Sequence, residues 1–196
     1  MAPLPGLSTR RRRWAAAALV VAALAAFLIW RQTREEEKEL PKPPHEGEPV
    51  KAVADEVEFW VNGQEMELEH LQGKALLLYF WHPEDGASLD TLPRVCELAR
   101  AYAEEGLVTI GFVLLTEPAA PERPERVAEA AEALVREHDI PFPLAVDCNW
   151  DVHATYRIDQ TGTPYCYLAD LGHVIFWKGH PRQLTEELVR DAVTPR

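Results

Sequence analysis

The chain has 196 residues, of which roughly 150 remain once an apolar N-terminal segment is set aside, enough for one ordinary domain. A hydrophobic fraction of 47% supplies a real core. The net charge of −12 argues against nucleic acid as a partner, because phosphate binding needs a basic face.

Residues 1–13 form a basic N-terminus that closes on Arg10 to Arg13, and Trp14 to Trp30 follow as seventeen residues without charge. At ~1.5 Å per residue that run spans roughly 26 Å, slightly short of a ~30 Å hydrocarbon core. Trp14 and Trp30 suit interfacial anchors, so one transmembrane helix is expected over residues 14–30. Arginines precede the run and Glu35, Glu36, Glu37 and Glu39 follow it, which predicts a cytoplasmic N-terminus and a domain outside the inner membrane, in the periplasm or its equivalent. Phe27-Leu28-Ile29-Trp30-Arg31 is bulky to its end and offers no small-residue cleavage site, so a retained signal anchor is expected. Thr9-Arg10-Arg11 also permits a twin-arginine export signal, although any membrane anchor carries such arginines.

Residues 31–49 are rich in Glu, Lys and Pro, with Pro41, Pro43, Pro44 and Pro49 spread through them. Lacking apolar residues to bury, they read as an extended, solvated tether. A domain is expected over residues 50–194. It opens with a strand at Val57 to Val61, a turn at Asn62-Gly63 and a second strand around Glu65 to Leu68, a hairpin pattern. Leu76 to Trp81 and Val108 to Leu115 are near-continuous apolar runs, as central strands covered on both faces require. Between them Leu89, Leu92, Val95, Cys96, Ala99 and Tyr102 recur at helical spacing. A second helix is predicted over Pro124 to His138 and a strand over Leu144 to Asp147. The remainder predicts a short helix near Trp150 to Tyr156, a strand Tyr165 to Ala169, a turn at Asp170 to Gly172, a strand Val174 to Lys178 and a last helix Leu184 to Val193. No internal repeat is visible.

Three segments stand out within this frame: Gly73-Lys74 leading into the apolar run that ends Phe80-Trp81, Pro93 twelve residues past that tryptophan, and Gly162-Thr163-Pro164. Together they resemble the thioredoxin-like superfamily, in particular its membrane-anchored periplasmic redoxin branch. The resemblance implies an α/β thioredoxin fold with a central mixed sheet flanked by helices, an N-terminal hairpin and an α-β insertion. It also implies a Cys-X-X-Cys pair at the start of the first helix, where unpaired N–H groups favour a thiolate. Counted from Trp81, the family spacing falls on Asp85-Gly86-Ala87-Ser88, so Asp85 takes the place of the nucleophile and Ser88 that of the resolving thiol. Neither can form a disulfide. Asp85 suits the position as a helix N-cap, and His82, Glu84 and Asp85 together offer a hydrophilic rim.

The resemblance implies that Pro164 is the cis-proline facing this site and that Thr163 before it presents backbone groups to an extended peptide, a mode needing no thiol. Pro164 could equally do no more than fix a tight turn. Cys96 lies on the apolar stripe of its helix and reads as a buried inert thiol. Cys148 ends a strand and Cys166 comes two residues after Pro164, so both could approach the side of the sheet where the family does its chemistry. They are open to three readings: a structural disulfide, a redox pair or two unrelated thiols. The expected function is a non-catalytic protein-binding or assembly module without cofactor, its partner meeting His82, Asp85, Ser88, Thr163 and Pro164. An atypical thiol-disulfide oxidoreductase using Cys148 or Cys166 is the alternative. Metal handling is a further one, though the paired cysteines plus histidine of copper-handling relatives are missing, and no metal ligands are assigned. A peroxidatic activity lacks its Pro-X-X-X-Thr-X-X-Cys run.

Overall fold

In the computed structural model the residues described are 46–51, 57, 59–114, 124–147 and 151–195. They belong to the compact unit Pro41–Arg196. The expected membrane helix over 14–30, most of the tether and Cys148 lie outside the described residues, among which no helix is long and apolar enough to cross a membrane.

Six strands form one sheet: β1 (Phe59–Val61), β2 (Ala75–Trp81), β3 (Leu107–Leu114), β4 (Leu144–Asp147), β5 (Tyr165–Ala169) and β6 (Ile175–Gly179), in the order β1-β4-β3-β2-β5-β6. The pairs β2–β3 and β3–β4 are parallel, whereas β1–β4, β2–β5 and β5–β6 are antiparallel. The sheet is therefore mixed, as expected. Among the described residues there are five α-helices: α1 (Gly86–Tyr102), α2 (Pro124–His138), α3 (Asp151–Tyr156), α4 (Ile158–Thr161) and α5 (Glu186–Val193).

Strand alternation sorts the core into two layers. Ala75, Leu77, Tyr79 and Trp81 of β2 face one layer with Leu92, Val95 and Cys96 of α1 and Val189 of α5. Leu76, Leu78 and Phe80 face the other with Phe112, Tyr167, and Val152 and Tyr156 of α3. Because both faces are covered, every residue of β2 is buried and its side chains are apolar in unbroken succession.

The expected N-terminal hairpin does not form. Phe59–Val61 pairs antiparallel with β4 at the sheet edge, and Glu65 to Leu68 lead into a 3-10 turn at Leu68–Leu71 instead of a second strand. Asn62 explains the departure: it takes a positive φ of 58°, and its side-chain amide donates to the carbonyls of Ile140 at 2.8 Å and Phe142 at 2.9 Å. The turn chemistry is thus spent on docking the chain to the approach of β4. A second departure lies before Val50, where Gly47 N–H donates to Ile175 C=O at 2.6 Å and Ile175 N–H to Glu48 C=O at 2.9 Å. The last residues assigned to the tether thereby border the start of β6.

Gly111 sets the spacing between β3 and the segment entering β4, since a Cβ there would stand 2.5 Å from Leu144 Cδ2 and 2.9 Å from Phe142 Cε2. Both neighbours are buried and cannot swing away. Gly111→Ala should lower stability by ~1–3 kcal/mol, read as a lower urea midpoint at unchanged slope.

Candidate functional site

β2 delivers the chain to His82-Pro83-Glu84, and α1 begins at once with Asp85 as its N-cap. Asp85 Oδ1 accepts from the Ala87 N–H at 3.1 Å; Oδ2 accepts from the Ser88 N–H at 3.1 Å and from the Ser88 hydroxyl at 2.8 Å. The Ser88 oxygen in turn accepts the His82 N–H at 3.1 Å. Carboxylate and hydroxyl are thus bonded to each other and to the backbone on both sides, stitching the helix start to the strand end. Ser88 is fully buried and both roles of its hydroxyl are taken, whereas Asp85 and His82 are half-buried and Glu84 is exposed. Burial pulls the Asp85 carboxyl upward, but hydrogen bonds from the Ser88 hydroxyl, Ala87 N–H and Ser88 N–H, with His82 nearby, outweigh it and hold the group below the usual aspartate range.

Tyr79 is a member of this site that the sequence did not single out. Its hydroxyl donates to the Ser88 carbonyl at 2.9 Å and shares a hydrogen bond with Thr91 Oγ1 at 3.1 Å, so β2 grips the first turn of α1 from below. A phenol inside an otherwise hydrocarbon strand was the available signal, since a buried hydroxyl needs a partner. Burial pushes the Tyr79 hydroxyl pKa up, so it stays a donor.

His82 Nδ1 accepts the Glu84 N–H at 3.1 Å, which leaves the ring proton of the neutral imidazole on Nε2. Nε2 is buried without a partner, as is Nε1 of the wholly buried Trp81. An unpaired buried donor typically costs ~1–3 kcal/mol.

The Thr163–Pro164 peptide is cis, as the resemblance implied; Pro164 is buried and Thr163 half-buried. The last β2–β5 pair is Phe80–Tyr165, so the chain leaves β2 through Trp81 and His82 at the same end of the sheet at which Thr163 and Pro164 lead into β5. The structure therefore gathers His82, Asp85, Ser88, Thr163 and Pro164 at one end of the sheet. Thr163 lies ahead of β5, and its N–H and C=O enter none of the backbone hydrogen bonds among the described residues. His180 follows Gly179, the last β6 residue paired with β5, and its Nδ1 accepts the Arg182 N–H at 3.2 Å.

The described thiols, Cys96 and Cys166, lie in the core layer shared with α1 and α5. Cys166 points into the core layer shared with α1 and α5, is 0% exposed and free, and burial raises its pKa. It makes no disulfide. Cys96 is likewise free and buried in the same layer, which pushes its thiol up to about 11, as its place on the helical stripe suggested. Among the described residues no three His, Cys, Asp or Glu side chains gather as metal ligands.

No protein-family model matches the chain. It is 32% identical over 143 residues to protein DipZ of Mycobacterium tuberculosis, a match that takes in 67% of this chain and 19% of DipZ. It is 25% identical over 105 residues to the thiol-disulfide oxidoreductase ResA of Bacillus cereus, covering 54% of this chain and 55% of ResA. The chain thus spans about a fifth to about half of the length of these relatives. Among solved structures, a thiol-disulfide isomerase from Corynebacterium glutamicum superposes with a TM-score of 0.59 at 21% identity, over 75% of this chain and 94% of that one. The chain has the thioredoxin-like fold. The thioredoxin domain of a thiol-disulfide oxidoreductase from Bacteroides vulgatus agrees, with a TM-score of 0.55 at 19% identity over 76% and 95% of the two chains.

In this thioredoxin-like domain the Asp85 cap should carry measurable stability. Asp85→Ala is expected to cost ~0.5–2 kcal/mol at pH 7. Because the folded carboxyl titrates below its ordinary value of 3.8, the charged form's share is fully present above that value and is lost as pH falls through the folded pKa. Urea denaturation at pH 7 and again near pH 3 should show the gap to wild type narrowing in acid.

Proposed function

We propose that this is a membrane-tethered thioredoxin-like domain, held outside the cell's inner membrane by residues 14–30, that binds an extracytoplasmic protein or peptide without exchanging thiols. The tether rests on the arginines before the apolar run and the glutamates after it. The observation that carries the binding role is the 2.8 Å hydrogen bond between Ser88 Oγ and Asp85 Oδ2, where the family spacing places two sulfurs. A closed carboxylate–hydroxyl pair keeps the helix capped and the site shaped, yet holds no electrons to give. The backbone of Thr163 beside it supplies a donor and an acceptor to an extended strand.

A second reading, a thiol-disulfide oxidoreductase working through Cys148 or Cys166, is favoured by the name of the relative ResA. Burial weighs against Cys166, since the thiolate is the reactive form and a wholly buried thiol is kept protonated. Insulin reduction with dithiothreitol as electron source decides between them. Wild type should add no turnover over the reductant alone, whereas Asp85→Cys combined with Ser88→Cys should gain it, the two positions already being in hydrogen-bond contact. Turnover by wild type that disappears in Cys148→Ser or Cys166→Ser would establish the oxidoreductase instead.

A further inference from the structure

We propose that residues 47–51 are a built-in seal: a short stretch of chain that occupies the β6 edge of the sheet and keeps a second copy of this protein from pairing there. The sheet order places β6 last, so the main-chain groups of that strand that point away from β5 need partners from elsewhere.

The chain itself supplies them. Ile175 N–H donates to Glu48 C=O at 2.9 Å, Ile175 C=O accepts from the Gly47 N–H at 2.6 Å, and His173 C=O accepts from the Val50 N–H at 2.8 Å. Pro49 stands opposite Val174 in an antiparallel bridge between these bonds. Val50, 7% exposed, joins the second core layer together with Ile175. The edge is therefore taken by main chain and side chain at once.

An added strand ordinarily presents a fresh edge of its own, and this one is closed. In the antiparallel pattern residues 48 and 50 turn their main-chain groups towards β6, so those of residues 49 and 51 point away. Position 49 is proline and has no N–H to offer. At position 51 the Tyr156 hydroxyl takes both groups, accepting the Lys51 N–H at 3.2 Å and donating to the Lys51 C=O at 3.1 Å. Gly47 adopts a φ of 88°, which turns the chain out of the strand direction. Glu46 and Glu48 are exposed and put negative charge along the same rim. Shortness, proline and charge are the devices by which sheet edges resist pairing, and all three coincide here.

The geometry also names the excluded partner. An open β edge is complementary to a copy of itself about a two-fold axis, each strand bonding the other in antiparallel fashion. On β6 the first groups available for that pairing are the Ile175 N–H and C=O, and residues 47–51 engage both within the chain.

The test compares full-length chains in detergent micelles by sedimentation and by hydrogen exchange at the Ile175 amide. Gly47→Pro combined with Val50→Pro deletes two of the donors that reach β6. At low protein concentration the double variant should exchange the Ile175 N–H at least about tenfold faster than wild type. Its dissociation constant for self-association should be at least about tenfold lower than that of wild type. At high concentration protection of Ile175 should return, because pairing between two β6 edges re-forms the bond. Val50→Ala, which trims the side chain but keeps the N–H, should self-associate no more than wild type.

A double variant that associates no more than wild type, or that associates without protection returning at Ile175, overturns the proposal. Association of Val50→Ala as strong as that of the double variant overturns it too, since loss of packing alone would then account for the effect. Should the double variant fail to fold, Pro49→Thr decides. It restores an outward N–H on an exposed residue and should move Tm by less than about 3 °C. The same variant should tighten self-association about threefold or more, and unchanged association refutes the seal.

Discussion

The complete burial of β2 is the constraint from which the rest of the domain follows. All seven of its residues are shielded, with β3 parallel on one side, β5 antiparallel on the other and a core layer against each face. A strand with no water on any side must be largely hydrocarbon and must have its backbone groups paired, and its buried Tyr79 hydroxyl is bonded internally, so its neighbours cannot slip without moving side chains to the wrong layer. That rigidity delivers the chain at Trp81 to one point at the edge of the sheet. The first turn of α1 and the Thr163–Pro164 loop are built at that point.

At that edge, polar chemistry takes over from packing. Asp85 and Ser88 close upon one another, Ser88 ties back to His82, and Tyr79 reaches up from β2 to the Ser88 carbonyl. Nearly every group in the loop has its hydrogen bond. The result is a site whose shape depends on hydrogen bonds between oxygens and N–H groups, and it keeps its form with no disulfide in it. The described cysteines lie instead in the layer beneath α1 and α5, where burial favours the neutral thiol. Fold likeness to oxidoreductases and the chemistry of this edge are separate matters, because activity belongs to sites and not to scaffolds.

Much of the scaffold was legible because it rests on local rules. The unbroken apolar run Ala75–Trp81, the stripe through Leu92, Val95, Cys96 and Ala99, and the helix Pro124–His138 are patterns of period and composition, and each element formed within a residue or two of its expected place. Asp85 as an N-cap was equally readable, since a carboxylate before a helix has one strong local use. The hairpin was misread because Asn62-Gly63 carries the turn signal but not its destination: Asn62 spends its amide on Ile140 and Phe142, about eighty residues away. No local rule anticipates that contact.

Taken alone, the amino-acid sequence determined the order of the elements, the covered central strand, and the absence of cysteines at Asp85 and Ser88, because these depend on residue type and short spacing. Tertiary structure decided which side chains meet. It joined the Ser88 hydroxyl to Asp85 and His82, brought the Thr163–Pro164 loop to the sheet end where β2 stops, buried Cys166 under the helices, and left His82 Nε2 without a partner. The physical reason is that hydrogen bonding and desolvation depend on distances between atoms remote in the chain, and only the packed sheet brings those atoms into range.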